Sequence, residues 1–143
     1  MGTSGDPLPF EKKIAHIALN AAMRGQTNQS SPIPFDETNL IRGAKIYQVN
    51  CAVCHGLPSE TLSPIAQGLF PPPPKLMPPN KGVTDDKIGE TYWKVKNGIR
   101  LTGMPGFQKT LSETEIWQVS ALLFNANQLS EPVKTELAKS IYK

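Results

Sequence analysis

Cys51-Ala52-Val53-Cys54-His55 decides how this chain is read. These are the only two cysteines, so no four-thiolate zinc or iron–sulfur site forms within one chain. A Cys-x-x-Cys pair also fits a redox disulfide, but that reading needs a βαβ pattern nearby and the flanks carry none. Histidine directly after the second cysteine gives the attachment pattern of a c-type haem. The chemistry needs this spacing. Two thiols one turn of backbone apart add to the two vinyl groups of the porphyrin, and the adjacent histidine is placed under the iron as an axial ligand. Cys51, Cys54 and His55 are therefore expected to hold one covalent haem c, with His55 bound to its iron.

Working outward, the motif follows a helix expected from Glu37 to about Asn50, with Asp36 as its N-cap. Gly43 and Tyr47 are four apart and share a face, with Leu40 three residues before Gly43. A glycine inside a helix costs about 1 kcal/mol relative to alanine, and close approach of a second helix explains it. That partner is expected near the C-terminus. Ser112 and Glu115 form a capping box, and Ile116, Trp117, Ser120, Ala121, Leu123 and Phe124 give a broad apolar stripe. Between the two, Thr84 is expected to cap a helix with Asp85 and Asp86 in its first turn. Its inner face is Ile88, Tyr92 and Val95, and Asn97-Gly98 ends it. A short last helix is expected after Ser130, packed through Val133, Leu137 and Ile141.

Residues 1–34 read as an N-terminal extension, and 35–143 as the haem domain. Residues 1–9 are turn-rich and read as a trimmed end. Phe10, Ile14, Ile17, Ala18 and Ala21 recur at helical spacing, an amphipathic helix of about four turns ending near Arg24-Gly25. Gln26 to Pro34 is a polar linker. No alternating strand pattern of useful length occurs, so the fold class is all-α with ordered loops. Buried porphyrin supplies apolar surface that so small a core lacks.

The second axial ligand is expected to be Met104. It sits in Gly103-Met104-Pro105-Gly106-Phe107, whose turn residues favour a rigid loop projecting the thioether. It lies 49 residues beyond His55 (104 − 55), enough chain to pass round a haem edge. Met77 is only 22 residues from His55 (77 − 55) and follows the proline run, so it more naturally lines the histidine side. Met23, His16 on the polar side of the first helix, and an open position are the remaining candidates. The free ring nitrogen of His55 needs an acceptor. Pro71-Pro72-Pro73-Pro74 offers carbonyls without competing amides.

Composition narrows the function. The longest apolar run is Ala121–Phe124, against the ~20 residues a bilayer span requires. Net charge is 15 − 12 = +3, spread as +1 over residues 1–34, +1 over 35–130 and +1 over 131–143. Nucleic-acid binding, which calls for a dense basic patch and a recognisable motif, does not fit. Lys94, Lys96, Arg100 and Lys109 lie without an intervening acid, either a solvated face or a docking surface for an acidic partner.

A helix with Gly43 and Tyr47, the CAVCH pentapeptide, the Gly-Met-Pro turn and a C-terminal helix carrying Trp117 together resemble a class I cytochrome c. Among these the chain is similar to the short bacterial domains that act as soluble carriers or as electron-transfer subunits of dehydrogenases and oxidases. Residues Lys96 to Pro105 read particularly like that group. The resemblance covers about residues 36–127 and is absent from 1–34. It implies a cytochrome c fold, helices wrapped around one covalent haem with a partly exposed edge, here with an extra N-terminal helix. It also implies a one-electron carrier and not an enzyme, with membrane or periplasmic oxidoreductases as partners. Haem attachment then occurs outside the bacterial cytoplasm, in the periplasm or on the outer face of the cytoplasmic membrane. No signal peptide is visible, so a native leader or membrane anchor is expected to have been removed. A His/Met pair fills both axial positions and raises the potential. The competing readings are a haem enzyme or gas sensor with a labile sixth ligand, and a subunit docked on a larger complex through its first helix.

Overall fold

At Gly43 the backbones of two helices touch. A Cβ built there would stand 2.3 Å from the Gln118 carbonyl oxygen and 3.1 Å from the Leu122 Cβ. The computed structural model, which describes residues 3–139, is arranged around this crossing. In chain order its helices are α1 (Glu11–Met23), α2 (Glu37–Asn50), α3 (Ala52–His55), α4 (Pro64–Gln67), α5 (Ile88–Asn97), α6 (Glu113–Phe124) and α7 (Glu131–Leu137). No strand occurs among the described residues, so the fold is the expected all-α one.

The α2–α6 crossing buries Leu40, Ala44 and Tyr47 against Val119, Leu122 and Leu123. Polar groups at its edge pair off: the Gln118 side-chain amide donates to Asn39 Oδ1 at 2.9 Å. Asp36 caps α2 by accepting from the Asn39 amide at 2.9 Å. The Ser112–Glu115 box starts α6, with both reciprocal bonds formed. α5 joins this pair through Tyr92, which stacks on Trp117 with ring centroids 3.9 Å apart. α7 packs on α2 by burying Val133 and Leu137. The buried Gln48 amide of α2 donates to the carbonyls of Glu136, Leu137 and Lys139 at 2.7, 3.3 and 2.8 Å. These carbonyls lie at the C-terminal end of α7. Ile141, expected on the same face, lies outside the described residues.

One expectation is corrected. α5 starts at Ile88, so Asp85 and Asp86 precede it instead of filling its first turn. The Thr84 hydroxyl donates to the Lys81 carbonyl at 3.0 Å, closing a turn. Asp85 pairs with Lys81 at 2.6 Å, an exposed ion pair worth little. α1 has the expected length; its apolar stripe is solvent-exposed, and only Met23 on this helix is buried. The following linker lies along α5. Gly89 faces the Thr27 and Gln29 carbonyl oxygens, where a Cβ would come within 2.3 and 2.7 Å. Trp93 Nε1 donates to Gln26 Oε1 at 3.1 Å.

Gly43→Ala is expected to destabilise the fold by about 1–3 kcal/mol through overpacking, although alanine is the better helix former. A denaturant melt showing equal or greater stability would remove the crossing as a constraint. Ser112→Ala is expected to cost ~1 kcal/mol near neutral pH. The Ser112 amide, then its hydroxyl, hold the Glu115 carboxyl below its ordinary value. A depressed carboxyl stabilises above its unfolded pKa, so the wild-type advantage shrinks as pH falls through the lowered folded value. Melts at pH 7 and in acid read this.

Candidate haem-binding site

α2 runs directly into the motif. Cys51 closes α2 by donating its amide to the Tyr47 carbonyl at 2.8 Å, and the single turn of α3 then carries Ala52 to His55. Gly56, at φ 73°, turns the chain out of that helix. Its carbonyl accepts from the fully buried Tyr47 hydroxyl at 2.6 Å. Burial, then the neighbouring Cys51, hold the Tyr47 hydroxyl well above the ordinary phenol range, so it stays a donor. The Ser63 hydroxyl, N-cap of α4, donates to the Val53 carbonyl. The motif is thus held from below by α2 and from the side by α4.

His55 Nδ1 donates to the Pro74 carbonyl at 2.7 Å. The acceptor therefore comes from the proline run, as expected. A carbonyl cannot donate, so Nδ1 carries the proton and Nε2 keeps its lone pair. Desolvation lowers the His55 pKa against the opposing effect of that hydrogen bond, which favours the neutral ring a metal ligand requires. The half-buried Cys51 thiol is pushed up to about 12 by desolvation and by Cys54 beside it. Neither cysteine is in a disulfide.

The Met104 loop is built on the C-terminal end of α5. Gly98, at φ 71°, packs so closely that a Cβ would lie 2.5 Å from the Gly106 nitrogen and 2.8 Å from the Met104 carbonyl oxygen. Ile99 donates to the Met104 carbonyl at 3.2 Å, while the Met104 amide donates to Thr102 Oγ1 at 3.1 Å. Phe107 and Gln108 then donate to the Val95 and Lys96 carbonyls at 3.0 and 3.2 Å, satisfying the open end of α5. Leu101 occupies the left-handed region at φ 63°, a strained position for a leucine, and is 86% exposed.

Cys51, Cys54, His55 and Met104 all line one cavity, together with the four prolines of Pro71–Pro74, Leu76, Val95 and Phe107. The empty space among these residues, including the part open to solvent, is about 1090 Å³. The other candidates fall away from it. Met77 is buried in the core and Met23 under α1, neither lining the cavity, and His16 is exposed on α1. Sequence reasoning missed the Tyr47 bond to Gly56 and the Ser63 brace; the Ser63-Pro64 pair was the available signal for α4.

Two of the four cations noted in the sequence are neutralised. Lys94 pairs with Glu90 at 2.6 Å and Lys96 with Glu113 at 3.0 Å. Arg100 and Lys109 remain exposed.

A family model described as cytochrome c oxidase, cbb3-type, subunit III matches residues 38–123. The chain belongs to this cytochrome c family. As a cytochrome c it carries covalent haem c with iron and takes part in electron transfer. The cavity fits that group: two adjacent thiols, a neutral imidazole with a free ring nitrogen and a thioether surround an otherwise largely apolar cleft. Among solved structures the cytochrome is similar to a chain of the Kuenenia stuttgartiensis reducing HAO-like protein complex Kustc0457/Kustc0458. Identity there is 26% and the TM-score 0.52, with 66% of this chain and 46% of that one covered. It thus spans under half the length of that relative. Cytochrome CL from the marine methylotrophic bacterium Methylophaga aminisulfidivorans MPT is 17% identical with a TM-score of 0.44, over 94% of this chain and 85% of that one. No curated protein matches.

Gly98→Ala is expected to cost ~2 kcal/mol or more, because it adds both a left-handed alanine and a clash with the Met104–Gly106 backbone. Faster amide exchange at Ile99 and Phe107 in this variant checks that the loop loosens; unchanged exchange would show that Gly98 does not hold it.

Proposed function

We propose that this cytochrome c shuttles single electrons between redox proteins, with its haem tethered through Cys51 and Cys54 and its iron ligated by His55 and Met104. The observation that carries the reading is the convergence of these four side chains on one cavity. The haem supplies an iron that changes oxidation state by one electron. The protein's share is to hold both ligands still. Pro74 fixes the tautomer and orientation of His55, which also makes the imidazole a better donor. The hydrogen bonds among Ile99, Thr102 and Met104, with the Gly98–Gly106 contact beneath them, fix the thioether. Ligation by both His55 and Met104 would leave no place on the iron for substrate, which favours a carrier over a catalyst. The apolar lining keeps water from the ligands and favours the less charged, reduced iron.

The partners proposed are membrane or periplasmic oxidoreductases, placing the domain in the periplasm or at the outer face of the cytoplasmic membrane. A role as the electron-transfer subunit of a larger assembly is the second reading. The likeness to a chain of a reducing HAO-like complex favours it.

The mature polypeptide is expected to be heavier by one haem, and Cys51→Ser/Cys54→Ser to lack the added mass. Met104→Ala is expected to lower the midpoint potential by on the order of 0.1 V, within the ~0.8 V that axial ligands span. It is also expected to abolish the long-wavelength sulfur–iron charge-transfer band and let the reduced protein bind carbon monoxide. Carbon monoxide binding by the unaltered protein would instead support a labile sixth position.

A further inference from the structure

Haem is an apolar macrocycle that carries two carboxylates at its rim. A cavity that takes it needs apolar walls and one polar side, because a carboxylate buried without a partner is costly. Apart from the thiols and imidazole of the attachment motif, the cavity described above has four polar side chains on its wall: Asn50, Thr91, Lys94 and Thr102. Two of them are already committed. The Asn50 amide donates to the Ile46 carbonyl of its own helix at 3.0 Å. The Thr102 hydroxyl donates to the Ile99 carbonyl at 2.7 Å and accepts from the Met104 amide at 3.1 Å.

Thr91 and Lys94 are not. Thr91 is only 5% exposed, yet its hydroxyl has no hydrogen-bond partner among the described residues. Every side-chain polar atom sealed from solvent there has one, so this hydroxyl is open to the cavity that its residue lines. Lys94 is the one charged side chain on the wall, His55 being neutral. Its side chain is 22% exposed. An ammonium has three N–H donors. One of them meets Glu90 at 2.6 Å, and Asp86 at 3.9 Å lies beyond hydrogen-bond reach. Glu90 thus holds the ammonium in place without using up its donors. Thr91 and Lys94 are three residues apart on α5 and share a face, and Val95 beside them is on the same cavity wall.

We propose that Thr91 and Lys94 form the carboxylate subsite of this cavity: the Lys94 ammonium pairs with a propionate of the bound haem while keeping Glu90, and the Thr91 hydroxyl donates to that propionate. Both are positioning residues. The thioether tethers hold the haem at its former vinyl carbons, and this pair holds it at a carboxylate, a charge-assisted contact. A cation kept against the haem also disfavours the more positive, oxidised iron. The inference rests on the proposed attachment through Cys51 and Cys54 in this cavity, but not on Met104 as a ligand or on any redox partner.

Resonance Raman spectra of the haem-loaded chain test it through the propionate bending band, which shifts when hydrogen bonding to the carboxylate changes. Lys94→Met keeps an unbranched stem and removes the ammonium; Thr91→Val replaces the hydroxyl by a methyl of similar size. Each is expected to shift the band. Thr91→Ser retains the hydroxyl and is expected to restore it. Lys109→Met removes an exposed cation that does not line the cavity and is expected to leave the band in place. Lys94→Met is also expected to lower the equilibrium constant for reduction about tenfold, equivalent to ~59 mV, the order expected for one unit charge on a cavity wall. An unmoved band in Lys94→Met overturns the proposal, whatever the potential does. An unmoved band in Thr91→Val removes Thr91 from the subsite, and a shift in Thr91→Ser as large as in Thr91→Val assigns the effect to packing instead. An equal shift in Lys109→Met overturns the role of Lys94. Failure of the attachment reading is told apart, because the unaltered protein would then lack the added haem mass and show no such band.

Discussion

Everything in this molecule hangs on the α2–α6 crossing at Gly43. Because the two backbones touch there, no side chain larger than hydrogen fits between α2 and α6 at that point. α2 is also the helix whose last residue is followed by Cys51, so the crossing sets where the attachment motif begins. Tyr47 transmits this constraint one step further. Fully buried in the crossing, it holds the Gly56 carbonyl on the far side of the motif and so clamps the one-turn helix between two fixed points. The residues that tether a cofactor thus inherit their placement from a helix contact that never touches it.

The other wall is built differently. Its anchor is the end of α5, whose last carbonyls are taken up by the amides of Phe107 and Gln108, so that the Met104 loop completes a helix terminus as it forms. One wall is set by a helix crossing and the other by a helix termination, and the cleft lies between them. Rigid ligands suit electron transfer, because little of the surroundings has to rearrange when the iron changes charge. The proline-lined part of the cleft adds to this, since those residues have little backbone freedom to lose.

Local signals made much of this legible. Asp36 and the Ser112–Glu115 pair marked the starts of α2 and α6, and Asn97-Gly98 the end of α5, because capping is decided by neighbouring residues. Gly43 pointed to a close crossing because a mid-helix glycine needs a reason. The start of α5 was misjudged where two local solutions competed: Thr84 and the two aspartates make equally good turn residues, and ion pairing with Lys81 serves the turn. What α1 packs against was not legible, for a deeper reason. A helical apolar period shows that one face is apolar but not what covers it, and here that face looks outward. The proposed role of His55 was legible because it directly follows the second cysteine. At Met104 the turn residues gave only the loop, and its place on the cavity depends on contacts between residues far apart in sequence.

The three bonds from Gln48 to the end of α7 tie together residues some ninety positions apart. A disturbance at the α7 end would therefore reach α2, the helix that leads into the cysteine motif, although no residue of α7 lines the cavity.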